Sequence, residues 1–344
     1  MKFAGSRVFH LNFTSSDHIP ILISLSGLIP PVRKKIFHFK QMWLLNSSCE
    51  EVVYSAWGSG SGLGDGGNIL RKVERCGKVL GHWEKNVFGN VRMELNWPKK
   101  VFTNEEKVAM ISGNNFRVGQ IKKDIEVLQD REATMWAQRS RVLWATQGDK
   151  NSKYFHCCAT KRFRKNTMEG IRDEEGVWKT TQEEVGEVMV DYYKSLFTSI
   201  EGSVPASMLE CVPTVIDEEM NSAPCKEFEA CEVISALQQI APLKASEPNG
   251  MPLLFYQYFW STVNHDVTSS ILSWLNSSTI PSPLNHTFVT LVLKINSPEY
   301  AHQFHPISLC NVLYKIYSKV LANRLKKYFH LLSQNTNQPS LRKD

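Results

Sequence analysis

The sequence predicts a mostly helical α+β protein of 344 residues. Apolar residues recur at helical spacing through most of the chain from Ile69 onward. Residues 8–25 instead show the alternating and β-branched runs that are typical of strands. A third observation is a strand pattern at Thr287–Leu293 that precedes a predicted terminal helix from about Leu309 to Leu332. A chain of this length can form two domains, or one domain with a helical arm.

Two strands are predicted at the N-terminus. Apolar and polar residues alternate from Val8 to Phe13, and Ile19 to Leu25 is an apolar, β-rich run. Four polar residues, Ser15-Ser16-Asp17-His18, lie between these runs and predict a turn.

A glycine- and serine-rich segment at residues 58–67 predicts a flexible loop. It contains a G-x-G-x-x-G match at Gly62, Gly64 and Gly67. That pattern binds a dinucleotide phosphate only where it joins a buried strand to a helix. The residues before it do not read as a buried strand, so a plain loop is the preferred interpretation.

Helices account for most of the remaining pattern. Helical spacing from Ile69 to Trp144, with breaks expected near Trp97-Pro98 and at Gly113, predicts a long helical arm. A clean amphipathic helix is expected at Glu183–Phe197. Further helices are predicted around Glu229–Ile240 and Leu254–Asn276. In the terminal helix, Leu313, Ile316, Tyr317 and Val320 form the face expected to be buried, and Lys315, Lys319 and Lys326 lie away from it.

Composition narrows the classes of partner. A net charge of +6 and an isoelectric point near 8.8 suit a polyanion, although they also suit an ordinary basic soluble protein. Eight cysteines without C-x-x-C spacing argue against zinc and disulfide frameworks and predict reduced thiols in an intracellular protein, for which the nucleus is a compatible compartment. The longest uncharged stretch, Ile19–Val32, is interrupted by prolines and is shorter than the roughly 20 residues of a membrane helix. We therefore expect neither a membrane partner nor a small-molecule substrate.

The C-terminal region carries the most specific pattern. The run F-H-P-I-S-L-C-N-V at residues 304–312, followed by S-K-V-L-A-N-R-L-K at 318–326, resembles the fingers block of LINE-type (non-LTR) retrotransposon reverse transcriptases. The N-terminal strand, Asp-His turn and strand resemble the final motif of the endonuclease/exonuclease/phosphatase fold that precedes the polymerase in that family. The resemblance implies an endonuclease remnant at 1–31, a helical linker at 32–214, and the N-terminal fingers part of a reverse transcriptase at 215–344, without the palm.

This resemblance implies an RNA-directed DNA polymerase family whose full-length members use Mg²⁺. A two-metal polymerase needs paired carboxylates. From Val267 onward this chain has only Glu299 and Asp344 as acidic residues. We therefore expect no catalytic residue, no metal site and no cofactor in this chain, and a truncated, catalytically inactive pseudoenzyme. Whether the chain is an enzyme stays open, as does the alternative of a translated pseudogene.

Two remnants of family sites are predicted. The resemblance places Lys294 and His305 towards an incoming nucleotide, with His305 standing where the family has an arginine that suits phosphate better. The loop K-A-S-E-P-N-G at 244–250 departs from the family's K-A-P-G-P-D-G at Glu247 and Asn249. Asp17 and His18 resemble the orienting pair of the endonuclease. The alternative for Lys294 and His305 is that they are ordinary surface residues. The alternative for Asp17 and His18 is that they are an inert remnant.

A basic and aromatic segment at residues 139–165 is the strongest candidate for contact with RNA or DNA. Positive charges neutralise phosphates, and rings between them offer stacking surfaces for unpaired bases. A non-catalytic nucleic-acid-binding module is therefore the alternative to a truncated, inactive polymerase. The alternative to any nucleic-acid contact by this segment is a solvated basic face over buried rings. The candidate residues are Arg139, Arg141, Lys150, Lys153, Tyr154, Phe155, Lys161, Arg162, Arg164 and Lys165.

Overall fold

The computed structural model divides the chain into two compact units, Met1–Ile36 and Phe37–Asp344. It describes residues 7–10, 21–24, 37–58, 68–89, 91–140, 152–166, 168–198, 217–243 and 249–335. In the first unit, β1 (Arg7–His10) pairs antiparallel with β2 (Ile21–Ser24), with Arg7 opposite Ser24. The two strands predicted at the N-terminus are confirmed.

The second unit is mostly helical. Its helices are α1 (Ser48–Gly58), α2 (Asn68–Trp83), α3 (Val91–Ser112), α4 (Phe116–Ser140), α5 (Ser152–Lys165), α6 (Gln182–Phe197), α7 (Glu218–Ser222), α8 (Ala230–Gln239), α9 (Leu253–Tyr258), α10 (Trp260–Asn276), α11 (Ser282–Asn285) and α12 (Val312–Asn335). Short 3₁₀ turns occupy Gln41–Leu45, Ala223–Cys225 and Ala301–Gln303, and a π turn occupies Glu84–Phe88. The strands are β3 (Ile171–Arg172), β4 (Trp178–Lys179), β5 (Phe288–Leu293) and β6 (Phe304–Leu309). This content confirms the predicted mostly helical α+β fold.

A hydrophobic core, here called the main core, joins buried side chains of α1, α2, α3, α8, α9, α10, α11 and α12. Aromatic rings occupy its centre: Phe39 meets Trp43 edge-on at 5.3 Å and Phe255 at 5.7 Å between ring centroids. All three side chains are almost completely buried. Residues on both sides of the predicted 214/215 boundary share this core, while the assignment of the two segments to a linker and to fingers stays a prediction.

The loop before α9 fixes the start of the second unit to the main core. Gly250 has φ +70°, and its carbonyl oxygen accepts the Phe39 N–H at 2.9 Å. A Cβ atom at this position would collide with the Phe37 carbonyl oxygen, so both the backbone conformation and the close approach require glycine. Asn249 contributes too, because its Oδ1 accepts the Met251 N–H at 3.0 Å.

Helix α12 packs into the main core through the face expected from the sequence. Leu313, Ile316, Tyr317 and Val320 are all buried. Farther along this helix, Arg324 fixes it to the segment before α8 and to α8 itself. Its guanidinium donates to both carboxylate oxygens of Glu232 at 2.7 Å and lies 3.5 Å from the centre of the Phe228 ring. It also donates to the carbonyl oxygens of Pro224, Lys226 and Glu227.

A second cluster of buried side chains, here called the minor cluster, consists of Ile171, Met189, Tyr193, Ala301 and Phe304. Helix α6 supplies Met189 and Tyr193. The helix begins with a capping box in which the Thr181 side chain accepts the Glu184 N–H at 3.3 Å and Glu184 accepts from Thr181.

Three local predictions are wrong. Helix α3 continues through Pro98, where a break was expected. Pro98 is buried on the same face as Leu95 and Ala109, and packing of this face against α4 offsets the hydrogen bond that proline cannot donate. The helix predicted at Leu254–Asn276 is two helices, which meet at Phe259.

The third correction concerns the C-terminal motif. Residues 304–309 form a strand that the periodicity did not predict, and α12 begins at Val312 rather than at Leu309. The strand β6 pairs only with β5 among the described residues. An edge position of this kind accommodates Pro306, which has no N–H to donate to a further strand.

No helix within the described residues combines the length and the apolar character needed to cross a membrane.

Candidate nucleic-acid interface

Helix α5 carries the basic segment predicted to contact nucleic acid. It contains five basic residues and no acidic residue, and it packs against α4. Tyr154, Lys161 and Lys165 are exposed and fall within about 40° of one another around the helix, because their spacing of seven and four residues approximates whole turns. We call these three residues the basic–aromatic stripe. Arg162 is exposed beside it.

The charges at this face are available to a ligand. Lys161, Arg162 and Lys165 form no ion pair with another described residue, and all three side chains are exposed. The ring of Phe163 is 64% exposed on the same helix. Phe163 was absent from the predicted site residues, although its position inside the run K-R-F-R-K was a signal for it.

The two aromatic residues at the start of α5, Tyr154 and Phe155, differ in burial. Phe155 is buried, whereas Tyr154 is 40% exposed, and the two rings meet edge-on at 5.7 Å. A hydrogen bond with Cys158 raises the pKa of the Tyr154 phenol above its ordinary value, so this ring is neutral at physiological pH. A neutral exposed ring on the same face of a helix as two lysines is a stacking surface of the kind that unpaired bases use.

Arg139 is the residue of the predicted segment that lies on α4. It is exposed at the end of this helix and lies over the Trp136 ring at 5.2 Å, a cation–π contact that occupies its guanidinium within the protein. Arg141 and Lys150 lie outside the described residues. Lys153 and Arg164 lie within α5, but their side chains are not described.

The β5–β6 hairpin brings together the two candidate nucleotide-facing residues. Val292 lies opposite His305, and the Lys294 N–H donates to the Gln303 carbonyl at 2.9 Å. Because side chains two residues apart on a strand share a face, Lys294 and His305 lie on the same side of the hairpin. Both are exposed, and the Lys294 ammonium donates to the His302 carbonyl oxygen at 2.9 Å.

The same side of the hairpin is also apolar. Phe288, Val292 and Ile307 are 56%, 45% and 40% exposed. The opposite side places Leu291, Leu293 and Phe304 against the minor cluster. The hairpin therefore presents an exposed face that combines rings and aliphatic side chains with a lysine and a histidine.

The predicted endonuclease pair, Asp17 and His18, lies outside the described residues, as do residues 244–248 of the loop that resembles the family motif. Within the part of the chain that is described, no three side chains of the types His, Cys, Asp and Glu lie together in a group that could hold a metal ion. Glu299, one of the two acidic residues after position 266, is paired with Arg172 at 2.8 Å. The described donors therefore do not fit a pair of Mg²⁺ ions, which require several oxygen ligands around each ion.

Comparison with known proteins finds a distant relative. No protein-family model matches the chain. The Transposon TX1 uncharacterized 149 kDa protein of Xenopus laevis is 21% identical over 325 residues, which cover 90% of this chain and 24% of that protein. The chain therefore spans about a quarter of the length of the curated relative it matches. This similarity runs across most of the chain and relates it to a transposon-encoded protein.

Proposed function

We propose that this chain is part of a retrotransposon protein of the reverse-transcriptase type, and that by itself it binds nucleic acid without synthesising it. Two observations support the origin. The similarity to the transposon protein covers 90% of this chain in a single alignment. The run at 304–326, which forms β6 and most of the following helix, resembles the fingers block of LINE-type reverse transcriptases.

The absence of synthesis is the first testable part of this proposal. Nucleotide transfer by such enzymes depends on carboxylates that hold two divalent ions. We expect the chain, supplied with a primed RNA template, deoxynucleotides and Mg²⁺, to give no extended primer above a heat-inactivated sample. Template-dependent extension that exceeds this control would contradict the proposal.

Binding of nucleic acid depends on the basic–aromatic stripe and Arg162. The observation that carries this part is the conjunction on one helix of three exposed basic side chains, an exposed neutral ring and no acidic residue. Each positive charge placed against a phosphate releases a condensed counterion, and a ring can stack on an unpaired base. An unpaired strand is the preferred ligand, because only unpaired bases can leave their own stack to meet Tyr154.

Neutralising the charges tests this part directly. The variant Lys161→Gln, Arg162→Gln, Lys165→Gln should bind an unstructured, fluorescently labelled single-stranded RNA at least about tenfold more weakly than the wild type in fluorescence anisotropy at low salt. A matched control, Lys122→Gln, Lys123→Gln, Lys326→Gln, removes the same charge from exposed positions elsewhere. It should change the affinity by less than about threefold, because only general attraction is reduced.

The ring is tested separately from the charge. Tyr154→Ala should weaken binding to single-stranded RNA by about 1 kcal/mol or more and should affect an RNA duplex less, because stacking needs an unpaired base. An equal loss of affinity for the single strand and for the duplex would contradict a stacking role for Tyr154. Equal binding by the charge-neutralised variant and the wild type would refute the α5 interface as a whole.

A further inference from the structure

The β5–β6 hairpin has two outer edges, one along each strand. The Lys294 N–H donates to the Gln303 carbonyl oxygen at 2.9 Å, so this pair of residues is hydrogen-bonded. Because hydrogen-bonded and non-hydrogen-bonded pairs alternate along an antiparallel ladder, the even-numbered residues of β5 bond to β6. The backbone N–H and C=O groups of Val289, Leu291 and Leu293 therefore point away from β6, along the outer edge of β5.

The outer edge of β6 is closed to a further strand. Pro306 lies opposite Leu291, so its backbone nitrogen points outward, and it has no N–H to donate. The Phe304 carbonyl oxygen also points outward, and it accepts the Tyr193 hydroxyl at 3.3 Å. Proteins commonly protect a strand edge with proline or by covering its polar groups. Both of these protections are present on β6.

The outer edge of β5 has neither protection. The strand contains no proline, and the outward N–H and C=O groups of Val289, Leu291 and Leu293 have no hydrogen-bond partner among the described residues. An unpaired edge of this kind binds another extended chain through main-chain hydrogen bonds. The contrast between the two edges indicates that the partner of the β5 edge is a strand.

A groove of about 480 Å³ lies beside this edge, between β5 and the C-terminal half of α6. The hairpin residues that line it, Val289 and Leu291, both belong to β5. Helix α6 contributes Val190 and Phe197, which are 63% and 62% exposed. Successive side chains of a strand point to opposite faces, so every second side chain of an added strand would enter the groove. The lining therefore selects apolar side chains at alternate positions.

A single basic side chain sets the charge that the groove prefers. Lys194 of α6 is among its lining residues and is exposed. It forms no ion pair with another described residue. A carboxylate on the incoming strand would complement this ammonium group, whereas a second cation there would be repelled.

We propose that the outer edge of β5 binds an extended segment of a partner protein, which adds a third strand to the hairpin. The segment has apolar side chains at alternate positions, which enter the groove, and a carboxylate that meets Lys194. Main-chain hydrogen bonds to Val289, Leu291 and Leu293 supply the affinity, and the groove supplies the specificity.

Selection of short random peptides displayed on phage, against the full chain, tests the chemistry of this segment. Peptides with apolar residues at alternate positions and an acidic residue should be enriched over those retained by the empty support. With Lys194→Glu as the target, the enriched charged residue should change from acidic to basic. Lys326→Glu is the matched control, because Lys326 is exposed on α12 outside the groove, and the preference for an acidic residue should remain.

The strand edge is tested with a selected peptide, synthesised with a fluorescent label. Val289→Pro removes an outward N–H and leaves the bonds to β6 in place, so it should weaken binding at least about fivefold in fluorescence anisotropy. Ser308→Pro is the matched control, because Ser308 lies opposite Val289 and its N–H points to the closed edge of β6. It should change the affinity by less than about twofold.

The groove is tested without a change in the hairpin. Phe197→Ala should weaken binding of the same peptide at least about fivefold, because an exposed ring of the groove wall is lost. Leu196→Ala, at a 56% exposed position of the same helix that does not line the groove, should have less than about a twofold effect. Circular dichroism checks that each variant keeps the secondary structure of the wild type.

Four results would each overturn the proposal. The first is the absence of an alternating apolar pattern among the enriched peptides. The second is equal binding by the wild type, Val289→Pro and Phe197→Ala, and the third is an equal loss in Val289→Pro and Ser308→Pro. The fourth is a dimer of the wild type, in sedimentation velocity without peptide, that Val289→Pro abolishes, since it would assign the edge to a second copy. None of these results bears on the binding of nucleic acid by α5.

Discussion

The main core and the minor cluster are stabilised in different ways. The main core draws buried side chains from eight described helices, from α1 near the start of the second unit to α12 near its end, and has aromatic rings in mutual contact at its centre. The minor cluster has five buried residues around α6 and the β5–β6 hairpin, and polar contacts surround it. Tyr193 donates to the carbonyl oxygens of Ala301 and Phe304, and Arg172 pairs with Glu299.

This difference shows where the chain can change at low cost. Dense packing makes the main core sensitive to any added or lost atom. The minor cluster depends on a few hydrogen bonds, each with a modest net contribution to stability. The hairpin that carries Lys294 and His305 packs on the minor cluster. Residues on the exposed face of this hairpin can therefore change without destabilising the main core.

The largest effect is expected at the loop that enters the main core. Gly250→Ala should lower the free energy of unfolding by more than about 3 kcal/mol in urea titration, because the new Cβ meets the Phe37 carbonyl oxygen at a positive φ. Gly176, in the turn between β3 and β4, is the matched control. It also has a positive φ but open space around it, so Gly176→Ala should cost only about 1 kcal/mol. Equal costs at the two sites would contradict the packing argument.

Arg324 should come next. Arg324→Lys keeps the positive charge but loses the planar fork that meets Glu232, so about 3 kcal/mol of unfolding free energy should be lost. Lys326→Ala, at an exposed position of the same helix, should change stability by less than about 0.5 kcal/mol. Chemical denaturation of both variants tests this contrast, and a stable Arg324→Lys protein would show that the charge alone is sufficient.

A smaller effect that depends on pH is expected at Asp266, which joins α10 to α1 and α2. Burial acts to raise the pKa of Asp266, but hydrogen bonds from Lys72 at 2.6 Å and the Trp57 indole at 2.7 Å lower it below its usual 3.8. A lowered pKa in the folded state stabilises the protein above pH 4, and this stabilisation is lost as the pH falls through the folded-state pKa.

Asp266→Asn should therefore cost about 1 kcal/mol at pH 7, since the carboxylate is partly exposed to solvent. The difference from the wild type should shrink as the pH is lowered from 5 towards 2. Asp191→Asn, on the exposed side of α6, should show no comparable trend in the same unfolding series. A difference that stays constant with pH would mean that the charge of Asp266 is irrelevant.

The smallest effect is expected in the minor cluster. Tyr193→Phe removes a hydroxyl that donates to two carbonyl oxygens at 3.3 Å, and it should cost about 0.5 kcal/mol. Tyr192→Phe serves as its control, because the Tyr192 side chain is only half-buried. Thermal unfolding should place Tyr193→Phe below both the wild type and this control. A loss of unfolding free energy larger than that of Arg324→Lys would contradict the expectation that changes in the minor cluster cost less stability than changes around the main core.

Much of the fold could be predicted because burial repeats with the helical period. Glu183–Phe197 and the buried face of α12 are examples, since each helix buries side chains along one face. Pro98 misled the prediction because the local cost of proline was weighed without the packing that offsets it. The strand β6 was missed because its partner β5 is required to define it, and a proline in a short run reads locally as a break.

The candidate site was predictable in composition but not in arrangement. The basic residues of α5 were visible in sequence, whereas the division between buried Phe155 and exposed Tyr154 depends on how α5 meets α4. The placement of Lys294 and His305 on one side of a hairpin depends on strand register, which no local pattern specified. The role of Arg324 was likewise hidden, because its partner Glu232 lies in another segment of the fold.

The salt dependence of RNA binding tests the central claim most directly. A plot of log K against log salt concentration for a single-stranded RNA should fall steeply for the wild type. For the variant Lys161→Gln, Arg162→Gln, Lys165→Gln the slope should be shallower by about 2, since each phosphate contact contributes about 0.7. Identical slopes for the two proteins would contradict a phosphate-binding role for α5.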